Sequence, residues 1–172
     1  FDVIASLFID NKNIESQVET ESTPLFKGQV LVADDNPVNR EVASEILRYL
    51  GISVDTADNG QLALDAFKEK QYDLVFMDCH MPVLDGLLAT QEIRKEESKN
   101  NSDQQVPIIA LTANLLSSSD NKHIEAGMNG YLGKPFTINE MIAILREWLP
   151  IIGQREPEKA VDNIAIKGDE ET

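Results

Sequence analysis

From Gln29 onward the chain alternates short apolar, β-branched runs with stretches of helical periodicity, and this alternation constrains the fold more than any other feature. The runs are QVLVA at 29–33, ISVDT at 52–56, LVFM at 74–77, PIIAL at 107–111 and GYLG at 130–133. Five helical stretches are expected to fall between and after them. In the first, Pro37 suits the opening helical position behind Asn36 as a cap, and Gly51 closes the helix. Val38, Val42, Ile46 and Leu50 recur every four residues, which predicts one buried stripe. Leu62, Ala63, Ala66 and Phe67 repeat the pattern in a second helix. Ile138, Met141, Ile142, Leu145, Trp148 and Leu149 do so in the last, with Trp148 read as core. Parallel neighbours need a crossover of about a dozen residues, which these helices provide. The fold class is therefore α/β, a doubly wound five-stranded parallel sheet with helices on both faces.

The flanks read differently. Residues 1–27 are expected to be an N-terminal segment and linker from a preceding domain. ESQVETESTP at 15–24 is polar and acidic, while FDVIASLFID at 1–10 could be a strand, a helix end or a remnant of that domain. Residues 150–172 read as an acidic, flexible tail, leaving 28–149 as the folded unit. EESKNNSDQQ at 96–105 has no apolar residue and is expected to be an exposed loop before the fourth strand. A start at Phe1, with neither an initiator Met nor a signal-like leader, suggests a piece of a longer protein.

Charge and cysteine usage narrow the function. A net charge of −15, from 30 acidic and 15 basic residues, repels nucleic-acid phosphates and anionic lipid. No apolar run is long enough to span a bilayer. The single cysteine, Cys79, cannot form an internal disulfide and has no CxxC partner, so it is read as a small apolar residue. A cytoplasmic location, or the cytoplasmic part of a membrane-bound sensor, is the simplest expectation. Neither GxGxxG nor GxxxxGK[ST] occurs, which argues against a nucleotide-binding enzyme.

In a doubly wound sheet, ligands bind beyond the carboxyl ends of the strands. Asp34 and Asp35 follow the first strand and Asp78 follows the third, so two strands deliver three carboxylates to one edge. Such a cluster needs a cation or raised pKa values, and a hard divalent ion that keeps open positions for phosphate oxygens fits it. The fourth strand ends in Thr112, a hydroxyl donor, and the fifth in Lys134, a point charge. Each signal alone is weak, since an acid after a strand is commonly a helix cap. Together they suit phosphoryl chemistry on Asp78.

VLVADDNPVNR, LVFMDCHMPVLDG, IIALTAN and GYLGKPF, in this order, resemble the receiver domains of two-component response regulators and hybrid histidine kinases, over about residues 28–149. The resemblance implies a flavodoxin-like (βα)5 fold. It also implies that Asp78 accepts a phosphoryl group from a phosphohistidine, carried by a histidine kinase or a histidine phosphotransfer domain. Mg²⁺ would be held by Asp35 directly, by Asp34 largely through water, by Asp78, and by the backbone carbonyl of His80. Lys134 would neutralise the phosphorylated carboxylate next to a cis bond to Pro135. Thr112 and Tyr131 would form a switch that repacks the surface around the fourth helix and fifth strand. His80 and Asn114 would tune the lifetime of the phosphoryl group. The acidic flanks and the DDNPVNR wording resemble the C-terminal receiver of a hybrid sensor histidine kinase, although the chain contains no ATP-dependent kinase core.

Two other readings compete. A Mg²⁺-dependent phosphohydrolase of the haloacid dehalogenase type wants a second acid two residues after the nucleophile, where this chain has His80. A pseudo-receiver acting only as a binding module would be expected to lack Asp78, Lys134 or the acidic pair.

Overall fold

The computed structural model describes residues 22–100, 104–113 and 121–156. In chain order its elements are β1 (Thr23–Phe26), β2 (Gln29–Ala33), α1 (Pro37–Tyr49), β3 (Ser53–Ala57), α2 (Gly60–Glu69) and β4 (Leu74–Asp78). There follow α3 (Gly86–Lys99), β5 (Ile108–Thr112), α4 (Lys122–Glu125), β6 (Gly130–Gly133), α5 (Ile138–Trp148) and β7 (Ile151–Arg155). The five strands expected from the sequence form one all-parallel sheet in the order β3-β2-β4-β5-β6. The chain moves outward from β2 to β3, then crosses back to β4 on the other side of β2. That reversal opens a crevice beyond the carboxyl ends of β2 and β4, where such folds bind ligands.

Alternate strand residues feed two cores. Val30, Val32, Leu74, Phe76, Ile109 and Leu111 pack with Ile46, Leu47 and Leu50 of the α1 side and with Met141, Leu145 and Leu149 of the α5 side. Leu31, Ala33, Val75, Met77, Ile108 and Ala110 pack with Ala63 and Leu64 of α2 and Ala89 and Ile93 of α3. β4 is buried at all five positions, as expected for a central strand covered on both faces.

Local chemistry sets where the helices begin. The Asn36 side chain accepts from the Val38 N–H at 2.9 Å, Asn59 from Leu62 at 2.9 Å, and Asp85 from Leu88 at 2.9 Å. Thr137 and Glu140 close a reciprocal capping box on α5. Gly51, with φ of 90°, follows the end of α1 in a conformation a side chain would strain.

The stripes differ from expectation at their first turns. Val38 is 67% exposed and Leu62 48% exposed, whereas Ala43, Leu47 and Leu64 are buried in their place. Both exposed residues stand in the opening turn of their helices. Trp148 packs against the first core, partly buried, as expected.

Three expectations about irregular segments need correction. Glu96–Lys99 is the last turn of α3 rather than loop, and Glu97 is buried, not solvated. Arg94 donates to Glu97 at 2.8 Å and to the Val106 carbonyl at 2.9 Å, and Glu97 accepts the Val106 N–H at 2.7 Å. This interlocked pair satisfies the strand approach to β5, which hydrophobic periodicity cannot register. In the flanks, Thr23–Phe26 and Ile151–Arg155 are paired antiparallel strands, where tether and tail were expected. Phe26 is fully buried in the first core, and its N–H donates to the Leu50 carbonyl at 2.8 Å. FDVIASLFID at 1–10 and the segment from 157 onward lie outside the described residues.

Candidate functional site

The acidic centre sits in the crevice between β2 and β4. β2 ends at Ala33 and β4 at Asp78, so Asp34, Asp35 and Asp78 project from neighbouring strand ends. One oxygen from each carboxylate lies within 4.8 Å of the others. Asp34 is fully buried and Asp78 is 4% exposed, while Asp35 opens to solvent. Oδ1 of Asp34 accepts the Asn36 N–H at 2.9 Å, and Oδ1 of Asp78 accepts the His80 N–H at 3.2 Å.

Lys134 reaches this centre from the end of β6. Its Nζ lies 3.2 Å from Asp34 Oδ2 and 3.3 Å from Asp78 Oδ1. Its backbone N–H donates to the Thr112 carbonyl at 2.7 Å, and the Lys134–Pro135 peptide is cis, as the family resemblance implied. Thr112 closes β5 beside it, half-buried. Asp34, Asp35, Asp78, Thr112 and Lys134 are thus gathered from four strand ends. The register pairs Ala110 with Tyr131 and Thr112 with Gly133, which puts Thr112 and Tyr131 on one face of adjacent strands. Tyr131 is 56% exposed and meets His123 edge-on, with ring centroids 5.8 Å apart. The His80 side chain is exposed, and Asn114 lies outside the described residues.

The loop after Asp78 is wound tightly. A Cβ on Gly86 would come within 1.9 Å of the Asp78 carbonyl oxygen, so the close approach of backbone, rather than a special turn conformation, requires glycine there. The Gly86 N–H also donates to the Cys79 carbonyl at 3.1 Å.

Electrostatics follow from burial and crowding. Desolvation holds Asp78 above the usual carboxyl range; the Asp34 charge adds to this, while the His80 N–H and Lys134 oppose it. Burial alone would lower the Lys134 pKa, but the charges of Asp78 and Asp34 outweigh it and raise it. Lys134 is therefore an ammonium at neutral pH. One ammonium among three carboxylates leaves excess negative charge, and the donors are all hard oxygens with one side open to water. That set fits a small divalent cation with retained waters. Burial, with the Asp78 charge next, pushes the Cys79 thiol up to about 11, which keeps it out of thiolate chemistry at neutral pH.

Arg40 was not singled out from the sequence. Its guanidinium donates to the Asp34 carbonyl at 2.7 Å, and its own carbonyl accepts from the Ser44 hydroxyl at 2.7 Å. It anchors the turn that carries the acidic pair. Only its place one turn into α1, behind the two acids, could have hinted at this.

Comparison with known proteins agrees with the geometry. Response regulator receiver domains as a family match residues 30–146. Among curated relatives, a histidine kinase of Arabidopsis thaliana is 34% identical over 167 residues, covering 84% of this chain and 18% of that protein. A hybrid signal transduction histidine kinase of Dictyostelium discoideum is 38% identical over 137 residues, 79% of this chain and 8% of that protein. The chain therefore spans less than a fifth of either relative. A solved receiver domain of a Pseudomonas aeruginosa sensor histidine kinase, with magnesium coordinated in its active site cleft, is 43% identical. It has a TM-score of 0.64 and covers 71% of this chain and 97% of that one. The receiver domain of a Saccharomyces cerevisiae response regulator, crystallised with a histidine phosphotransfer protein, is 34% identical with a TM-score of 0.65, covering 74% and 91%. This chain belongs to the response regulator receiver domain family, the receivers of two-component phosphorelays.

Proposed function

We propose that Asp78 is the phosphoacceptor of this receiver and takes its phosphoryl group from a phosphohistidine on a histidine kinase or histidine phosphotransfer protein. The observation that carries the proposal is the placement of Lys134 Nζ within 3.3 Å of Asp78 and 3.2 Å of Asp34. A carboxylate oxygen of Asp78 attacks phosphorus, the P–N bond breaks, and the donor imidazole leaves with the electron pair and takes up a proton. The product is an acyl phosphate on Asp78. Lys134 and the Thr112 hydroxyl supply the positive charge and the hydrogen bond that phosphoryl oxygens demand.

The carboxylates of Asp35 and Asp78 and the His80 carbonyl are the groups that would hold Mg²⁺ directly, with Asp34 acting largely through water. Bound there, the ion supplies charge neutralisation for the phosphoryl oxygens. Thr112 and Tyr131, on one face of β5 and β6, are the pair through which phosphorylation would repack the surface around α4 and β6. His80 beside the acceptor, together with Asn114, would set the lifetime of the acyl phosphate. No helix among the described residues is long and apolar enough to cross a membrane. We assign residues 28–149 to the receiver, with a cytoplasmic location. Similarity to hybrid histidine kinases favours such a kinase as the parent protein.

Incubation with Mg²⁺ and acetyl phosphate, read by intact mass, tests the proposal. One phosphate adduct on the wild-type chain, absent from Asp78→Asn, is expected. An adduct that survives in Asp78→Asn would overturn the assignment.

A further inference from the structure

Val83 stands at the tip of the loop that leaves Asp78 and returns beside it at Gly86. Its φ of 70° is the only positive value at a residue other than glycine among the described residues. The Leu84 N–H donates across it to the Pro82 carbonyl at 2.8 Å, closing a γ-turn. With a positive central φ this turn is rare and strained, more so around a β-branched side chain. The Val83 side chain is nevertheless 83% exposed, more than any other large apolar residue described. Glycine or asparagine would accept the backbone with less strain, and a polar side chain would suit the exposure. Neither burial nor backbone preference accounts for a valine here.

Its surroundings narrow what the valine faces. The loop cannot easily relax, because the Gly60 N–H donates to the Leu84 carbonyl at 3.0 Å and Gly86 lies against Asp78. Val83 is therefore held outward before any partner arrives. Asp78 itself is 4% exposed, so a phosphodonor has to press onto the rim of the crevice to bring phosphorus within reach. From Cys79 to Leu84 that rim carries no acidic or basic side chain other than His80, in a chain of net charge −15. On α1, which starts from the acidic pair, Val38 of the first turn is also apolar and 67% exposed. A small phosphodonor gains nothing from an apolar group outside the crevice. A protein that presents its phosphohistidine among apolar side chains does, and a preorganised anchor strengthens such a contact.

We propose that Val83 is a specificity-determining residue for protein phosphodonors: the strained γ-turn holds it outward to fill an apolar hollow beside the donor histidine. This rests on Asp78 being the acceptor, and the test separates the two. Phosphorylation of the full chain is followed by intact mass with two donors. One is acetyl phosphate with Mg²⁺; the other is the phosphorylated histidine phosphotransfer protein of Saccharomyces cerevisiae. Val83→Asn, which tolerates a positive φ, is expected to melt no lower than wild type and to keep the acetyl phosphate rate within about twofold. Transfer from the protein donor is expected to fall about tenfold, and Val83→Ile to keep both rates. Equal slowing with both donors would overturn the proposal by making Val83 a determinant of loop geometry. No slowing with the protein donor would overturn it too, as would a wild-type chain that acetyl phosphate labels and the protein donor does not. Failure of both donors on wild type would instead bring down the Asp78 assignment.

Discussion

At its carboxyl edge the central sheet gathers three carboxylates within 4.8 Å and sets one ammonium against them. At the opposite edge the β1–β7 ribbon lays Phe26 into the core, and Arg155 stacks on Tyr49 with its guanidinium carbon 4.5 Å from the ring centroid. α1 spans the two, starting at Asn36 beside the acids and ending where the Leu50 carbonyl accepts the Phe26 N–H. The first edge holds charges that repel and a γ-turn that strains. The second buries apolar surface and satisfies backbone. Reactivity and stability are thus separated along one helix, and substitutions at the two edges should have opposite signatures.

The sharpest separation is expected at Asp78 and Phe26. Asp78→Asn should abolish the phosphate adduct in the mass spectrum while leaving the fold intact. Phe26→Ala should do the reverse. Removal of a fully buried phenyl ring costs about 4 kcal/mol, read in urea unfolding, while labelling of the folded fraction stays at the wild-type rate. A Phe26→Ala protein that folds yet labels slowly would show that α1 transmits strain from one edge to the other.

Lys134 gives the next largest effect. Lys134→Gln should slow labelling by acetyl phosphate about a hundredfold, as loss of a donor aimed at developing negative charge does elsewhere. An unchanged rate would reassign Lys134 to holding Asp34 and Asp78 together.

A smaller effect has the opposite sign. Burial raises the Asp78 pKa, so folding favours its protonated form. That contribution is present below the ordinary carboxyl pKa and is lost as pH rises through the raised value. Asp78→Asn should therefore stabilise the metal-free chain at neutral pH by about 1 kcal/mol, and the gain should vanish in acid. Destabilisation at neutral pH would mean that the Asp78–Lys134 pair outweighs desolvation, and the contrast between the two edges would fail.

How much of this was legible in the sequence follows the same division. Asp34, Asp35, Asp78, Thr112 and Lys134 could be read because each ends a strand of recognisable pattern, and strand ends of a doubly wound sheet converge. The ribbon could not. TPLF and IIGQR are short, carry Pro24 and Gly153, and pair across more than a hundred residues, as the Ser22–Gln154 hydrogen bond at a separation of 132 illustrates. The last turn of α3 hid for another reason. Its turn is tied down by the Arg94–Glu97 contact and the Val106 N–H that Glu97 accepts, not by an apolar stripe. Arg40 was invisible because its partner is a backbone carbonyl, which sequence does not mark.

Arg155 offers the smallest test. It is exposed, and beyond its contact with the Tyr49 ring it donates to the Tyr49 carbonyl at 3.1 Å. An exposed cation–π contact contributes about 0.5–1 kcal/mol, so Arg155→Ala should lower the melting temperature by about 2 °C and leave labelling unchanged. Adding Tyr49→Phe keeps an aromatic face for the guanidinium, whereas adding Tyr49→Ala removes it. If Arg155→Ala costs the same in a Tyr49→Ala background as in wild type, the ring contributes nothing. What Arg155 contributes to the ribbon would then come from its bond to the Tyr49 carbonyl, which Tyr49→Ala leaves in place.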